Sequence, residues 1–187
     1  RQRQMCIRDS SRMWADCIAR YLSLSNPIFI YIPLFLCLNQ YEISIPFFAA
    51  ACNGVGALSW PEEALRANII AQVSLALNRI WTEWYPSRGY SFNITGSPRY
   101  DQAYVNGRTV FAVMERLTAE LFNTFVQRSG DAEPYFTEYC DGKTVTCPGM
   151  KQWGTVDRAR EGMNALQILR YYYCLLYTSP SPRDGAT

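Results

Sequence analysis

The sequence predicts an α+β fold in which two long amphipathic helices pack on a small antiparallel sheet. Three observations lead there. Apolar residues recur at spacings of three and four from Leu65 to Trp84 and again from Val110 to Phe125, the periodicity of a helix with one buried face. Tyr41–Phe47 alternates as a strand does, and Tyr135–Cys140 and Lys143–Thr146 flank Asp141-Gly142, a residue pair suited to a type I′ hairpin turn.

The two ends read as foreign to this fold. One codon choice for Met5-Cys6-Ile7-Arg8-Asp9 and the start of Ser10, atg tgt ata aga gac ag, has a reverse complement that encodes Cys-Leu-Leu-Tyr-Thr, the residues Cys174 to Thr178. A sequencing adapter joined to both ends of a DNA fragment makes peptide ends complementary in this way. Residues 1–10 and 174–187 are therefore expected to be translated adapter, to be set aside before fold reasoning and to contribute nothing to the fold. The remaining interior would then be a fragment of a longer protein.

Setting the ends aside changes the charge. The chain has 18 Lys+Arg, 16 Asp+Glu and no histidine. Without Arg1, Arg3, Arg8, Arg183, Asp9 and Asp184, 14 of each sign are left, so no nucleic-acid partner follows from basicity. Of seven cysteines, five lie in the interior: Cys17, Cys37, Cys52, Cys140 and Cys147. An odd, scattered set specifies no disulfide framework.

Along the interior, residues 11–40 have no clear assignment. The apolar run Pro27–Leu38 is shorter than the roughly 20 residues of a membrane span, and Pro27 and Pro33 disfavour a helix interior. A buried strand pair, a signal-type apolar segment and an out-of-frame translation all stay open there. The predicted domain is 41–173. Ala49–Leu58 reads as a loop. Ser59-Trp60-Pro61-Glu62 reads as a capping box with Ser59 as N-cap, opening a helix whose stripe is Leu65, Ile69, Val73, Leu77, Ile80 and Trp84 and which stops by Pro86 and Gly89. A polar loop, Pro86–Asp101, follows; loops of this length are often functional. The second helix is expected from Gly107 or Arg108 to Gly130, with Val110, Val113 or Met114, Leu117, Leu121 and Phe125 buried. After the hairpin and a Pro148-Gly149 loop come two short helices, Val156–Glu161 and Ala165–Tyr172, broken at Gly162.

Four blocks carry a family resemblance. Trp60-Pro61-Glu62-Glu63-Ala64-Leu65-Arg66-Ala67-Asn68, continuing to Ala76-Leu77-Asn78-Arg79, resembles the core helix of the SpoIID/LytB (stage II sporulation protein D) family. Tyr139-Cys140-Asp141-Gly142-Lys143-Thr144 looks like that family's Cys-Gly-Gly-x-Thr turn. Gly149-Met150-Lys151-Gln152-Trp153-Gly154 resembles its Gly-Met-Ser-Gln-Tyr/Trp-Gly motif, and Gln167-Ile168-Leu169-Arg170-Tyr171-Tyr172-Tyr173 its closing helix. The blocks are in the family's order and are similar to those of clostridial peptidoglycan-binding proteins. The resemblance implies a SpoIID-like fold and a bacterial cell-wall or sporulation protein, outside the cytoplasm in the cell wall or forespore envelope. Its partner would be peptidoglycan glycan strands, with C-terminal peptidoglycan-binding repeats beyond the fragment, and no cofactor is implied.

Active members are lytic transglycosylases, in which one glutamate donates a proton to the leaving oxygen and then accepts one from the attacking sugar hydroxyl. The family places that glutamate about five residues before the tryptophan. Here Val55 stands there, and no carboxylate occurs between Glu42 and Glu62. The expectation is recognition without catalysis, with Glu62 and Asp101 as fallback acids. An active transglycosylase and a structural spore or envelope protein are the alternatives. Ligand contacts are expected from Gln152 and Trp153, from Gly149 and Met150 beside them, and from Asp101 and Gln102 in the long loop. Trp81, Trp84, Tyr85, Tyr90, Phe92 and Trp153 are possible stacking platforms, although Trp81 and Trp84 read better as helix core. Family members join cysteines at the positions of Cys140 and Cys147 or use them with histidines to hold zinc. With no histidine in the chain, zinc lacks its usual shell, so a disulfide, free thiols and zinc all stay open, in that order.

Overall fold

The computed structural model describes residues 5–9, 59–105, 109–122, 124–128 and 133–173. The strand expected at Tyr41–Phe47, the run Pro27–Leu38, the loop Ala49–Leu58, Val55, and Cys17, Cys37 and Cys52 lie outside them. In chain order the elements are β1 (Met5–Asp9), α1 (Glu62–Trp81), a 3-10 turn (Pro86–Arg88), α2 (Ala112–Leu121), β2 (Thr124–Arg128), β3 (Tyr139–Cys140), β4 (Met150–Lys151), α3 (Gln152–Arg160) and α4 (Ala165–Tyr173). The class is α+β, and the long central helix α1 organises it.

Helix α1 is not amphipathic. Sixteen of its 20 residues are buried, which is how a helix surrounded by other elements looks. The stripe Leu65, Ile69, Val73, Leu77 and Ile80 packs with Met114, Leu117, Phe122, Phe125 and Val156. A further face, Ala67, Ile70 and Ala71, packs with Val126, Met150, Ile168, Leu169 and Tyr173. The polar residues that would mark a solvent face instead fasten neighbours. Asn68 Nδ2 donates to Thr155 Oγ1 at 2.8 Å. The Val126 N–H donates to Ser74 Oγ at 2.8 Å. Asn78 Nδ2 donates to the Pro134 carbonyl at 2.9 Å. Each bond offsets the cost of burying a polar group, and together they fix where α3, β2 and the segment after it dock.

The start of α1 also differs from expectation. Pro61, not Ser59, is at the N-cap, and no side-chain cap bond is made there. The Pro61 carbonyl accepts the first helical bonds, from the N–H groups of Ala64 and Leu65 at 3.0 and 3.2 Å. Proline's extended backbone (ψ 141°) sets the entry directly. The helix ends at Trp81, earlier than Trp84, and Glu83 turns the chain with a φ of 49°.

The second helix is ten residues long and starts at Ala112; Phe125, assigned to its stripe, belongs to strand β2. Thr124-Phe125-Val126 is β-branched and aromatic, which favours a strand, and Phe125 still reaches the same core from there. The Asp141-Gly142 hairpin is absent. β3 pairs with β4 in parallel, Tyr139 opposite Met150 and Cys140 opposite Lys151. The reason lies in Asp141. Its carboxylate accepts the N–H groups of Lys143, Thr144 and Val145 at 3.0, 3.1 and 2.8 Å, the donors a returning hairpin strand would need.

β1 pairs antiparallel with β2 over five residues, Met5 opposite Arg128 through Asp9 opposite Thr124. The end containing Met5–Asp9 therefore does contribute to the fold, against expectation. Strand pairing uses backbone groups that any non-proline segment carries, so an edge accepts an extended peptide whatever its origin. Residues 174–187 lie outside the described set. No helix among the described residues is long and apolar enough to cross a membrane.

Candidate functional site

The residues singled out by sequence fall into two places. The first lies beyond the C-terminal end of α1. Asp101 is buried there, its side chain wholly covered. Its Oδ1 accepts from Arg79 Nε at 2.8 Å. Its Oδ2 accepts from Tyr85 Oη at 2.6 Å and from the Thr95 N–H and hydroxyl, both at 2.9 Å. With both oxygens engaged and the side chain wholly covered, Asp101 ties the Pro86–Asp101 loop to α1 and does not face a ligand. Gln102 is also buried, and its Nε2 donates to the Gln72 carbonyl at 2.8 Å. Neither is a surface contact.

Around this knot the aromatic side chains sort differently from expectation. Trp81 packs against the core. Trp84 does not: it is exposed, with the guanidinium groups of Arg79 and Arg88 4.6 and 3.6 Å from its ring centre. Tyr85, Tyr90 and Phe92 pack on one another with centroids 4.8–6.0 Å apart. Burial pushes the Tyr85 phenol up, and the neighbouring Asp101 carboxylate adds to the effect.

The second place surrounds the start of α3. Met150 is fully buried, and its N–H donates to the Glu138 carbonyl at 2.9 Å. A Cβ on Gly149 would come within 1.9 Å of that same Glu138 oxygen, so glycine is required for the strands to approach. Gly149 and Met150 thus belong to the packing and not to a ligand surface. Gly154 faces the Tyr172 hydroxyl, which a Cβ would meet at 2.1 Å. The glycines of this motif are spacing devices between α3, α4 and β3.

Trp153 and Gln152, expected in a loop, form the first turn of α3. Trp153 is 39% exposed. Its backbone N–H donates to the Asp141 carbonyl at 3.1 Å. The edge-on contact with Trp60 has a centroid separation of 4.9 Å and an interplanar angle of 63°. Lys143 Nζ lies 3.2 Å from the centre of the Trp153 ring. Cys140 and Cys147 are joined in a disulfide, Cα–Cα 6.0 Å, so of the three open states the structure has this one. The disulfide and Asp141 hold the loop that carries Lys143. The Asp141 carboxyl is kept well below the usual carboxylate range, chiefly by the Thr144 hydroxyl, then by the backbone N–H of Val145.

Trp60 and Lys143 were not picked out as site residues. Their separations from Trp153 along the chain match no local period, so only the fold brings the three together. The indole Nε1 of Trp60 is buried and has no hydrogen-bond partner among the described residues.

Glu62, the other fallback acid, is exposed on the first turn of α1. It accepts from Arg66 at 2.8 Å and Arg116 at 2.9 Å, and Arg66 also reaches Glu120 at 2.7 Å. Hydrogen bonds from Arg66, then Arg116, lower the pKa of Glu62. A general acid needs the opposite displacement at neutral pH.

No family model, no curated protein and no solved structure matches this chain.

Proposed function

We propose that the chain is a SpoIID-like peptidoglycan-recognition domain that binds glycan strands without cutting them. One observation carries the reading: the exposed Trp153 indole, buttressed edge-on by Trp60, with Gln152 next to it on the first turn of α3. A rigid aromatic face beside a polar side chain suits a sugar ring, whose apolar face packs on the indole while its hydroxyl and acetamide groups hydrogen-bond alongside. The four sequence blocks support the same ligand, and two of them, around Trp60 and Trp153, meet at this surface.

The absence of cutting follows from proton chemistry. Val55 has no titratable group. Asp101 is enclosed with both oxygens engaged, and Glu62 is stabilised as a carboxylate by two arginines. Neither fallback acid is suited to deliver a proton to a glycosidic oxygen.

Sedimentation with purified sacculi tests the binding. The chain is expected in the pellet, and Trp153→Ala is expected to leave it in the supernatant with its melting temperature little changed. Failure of the unmodified chain to sediment would overturn recognition. Release of anhydro-muropeptides by the unmodified chain would overturn the claim that it does not cut.

A further inference from the structure

Strand β2 is buried along its middle, at Phe125, Val126 and Gln127. On one side Val126 is tied off. Its N–H donates to Ser74 Oγ and its carbonyl accepts the Tyr135 N–H, both at 2.8 Å. Successive residues of a strand direct their backbone groups to opposite sides. Phe125 and Gln127 therefore direct theirs to the other edge, where β1 pairs. Buried backbone donors and acceptors are costly without partners, so this edge requires a strand. The requirement is on backbone and not on one particular sequence.

Residues 5–9 meet the requirement here, yet they belong to the end that reads as translated adapter. A second segment of the chain carries the same pattern. Residues 41–45, outside the described set, alternate as a strand does. Set antiparallel in the register of β1, Tyr41 comes opposite Arg128, Glu42 opposite Gln127, Ile43 opposite Val126, Ser44 opposite Phe125 and Ile45 opposite Thr124. Ile43 takes the position that Ile7 holds in β1, and Ile45 puts a β-branched residue where β1 has Asp9. Pro46 follows, a residue that ends pairing because it has no N–H. Reach is no obstacle. Ser74, which bonds β2, lies about 18 Å along α1 from its start, whereas the chain from residue 46 to 61 can extend to about 50 Å. We infer that the β2 edge is a strand-acceptor site whose own occupant is residues 41–45, and that β1 stands in for that strand. This rests on reading residues 1–10 as adapter and is independent of glycan recognition.

Amide exchange in the full chain tests it. Arg8→Pro removes an N–H from the β1 residue opposite Phe125 and breaks the β1 pairing. The Phe125 and Gln127 amides are expected to stay protected, because residues 41–45 take the edge. Adding Ser44→Pro should then lower their protection about tenfold or more, on the scale of a lost hydrogen bond. Slow exchange at Ile69 and Val73 in α1 would report that the fold still stands. Arg8→Pro with Ile43→Ser is the milder pair for the case in which two prolines unfold the chain, and the same loss confined to β2 is expected. A synthetic peptide of residues 41–47 should restore protection in either pair. Loss of protection in Arg8→Pro alone would overturn the inference. So would protection that survives in both double variants, including the case of a doubled mass, which would make a second copy the occupant.

Discussion

Two loops attached to the frame of α1 are each organised by one aspartate, and the two aspartates do so in opposite surroundings. Asp101 is enclosed, paired with a buried arginine, and gathers the long loop inward. Asp141 is accessible to water and gathers the N–H groups of its own short loop, with a disulfide closing the same loop. The difference shows how burial decides what a carboxylate is for. An enclosed acid whose oxygens are all used is a structural rivet. An accessible one that ties its own turn can hold a neighbouring side chain at the surface, here Lys143 on Trp153.

The strongest way to break this comparison is to remove the enclosed acid. Asp101→Ala leaves Arg79 buried without its partner and is expected to cost about 3–5 kcal/mol, measured by urea unfolding. A cost below 1 kcal/mol would mean that the knot is solvated in solution. The core that both loops stand on should respond almost as strongly. Leu77 and Leu117 are both buried in one cluster, and each truncation to alanine should cost about 2–5 kcal/mol. If both were near neutral, that cluster would be wrong.

Opening the accessible loop should cost less. The disulfide joins residues seven apart in sequence, so Cys140→Ala with Cys147→Ala should lose about 2 kcal/mol. On the proposed reading, sedimentation with sacculi should fall along with it, because the loop beside Trp153 loses its fixed base. A stability loss with sedimentation intact would separate the loop from the proposed glycan surface.

The smallest effect concerns pH. The folded pKa of Asp141 is lowered, so its contribution is present above the ordinary aspartate range, about 3.9, and is lost as pH falls below it. Asp141→Asn should lower the melting temperature slightly at pH 6, and the difference should shrink as pH falls through the ordinary aspartate range towards the lowered folded pKa. Equal melting temperatures for the two proteins at pH 6 would show that the turn does not depend on the charge. Asp101 offers no like test, because its replacement acts through the stranded arginine.

Much of the helical frame was legible in the sequence. The spacing of Leu65, Ile69, Val73, Leu77 and Ile80 located the buried stripe, and Gly162 marked the break before the last helix. Those features are local: a helix places residues three and four apart on one face, and a break needs only the few residues around it. What could not be read was anything set by contacts far apart in the chain. Asn68, Ser74 and Asn78 look like a solvent face and turn out to be docking points, because their partners lie 52 to 87 residues away. Trp84 looked like core and is exposed because α1 ends at Trp81.

The sequence by itself determined the class of the fold, the long helix, and the motif that carries Gln152 and Trp153. Only the tertiary structure decided that Gly149 and Met150 are packing, that Asp101 is enclosed, and that Trp60 and Lys143 meet at Trp153. The physical reason is one of range. Backbone periodicity acts over a turn or two of chain. Burial, and with it the difference between a structural acid and an available surface, is set by which distant segments close over a residue.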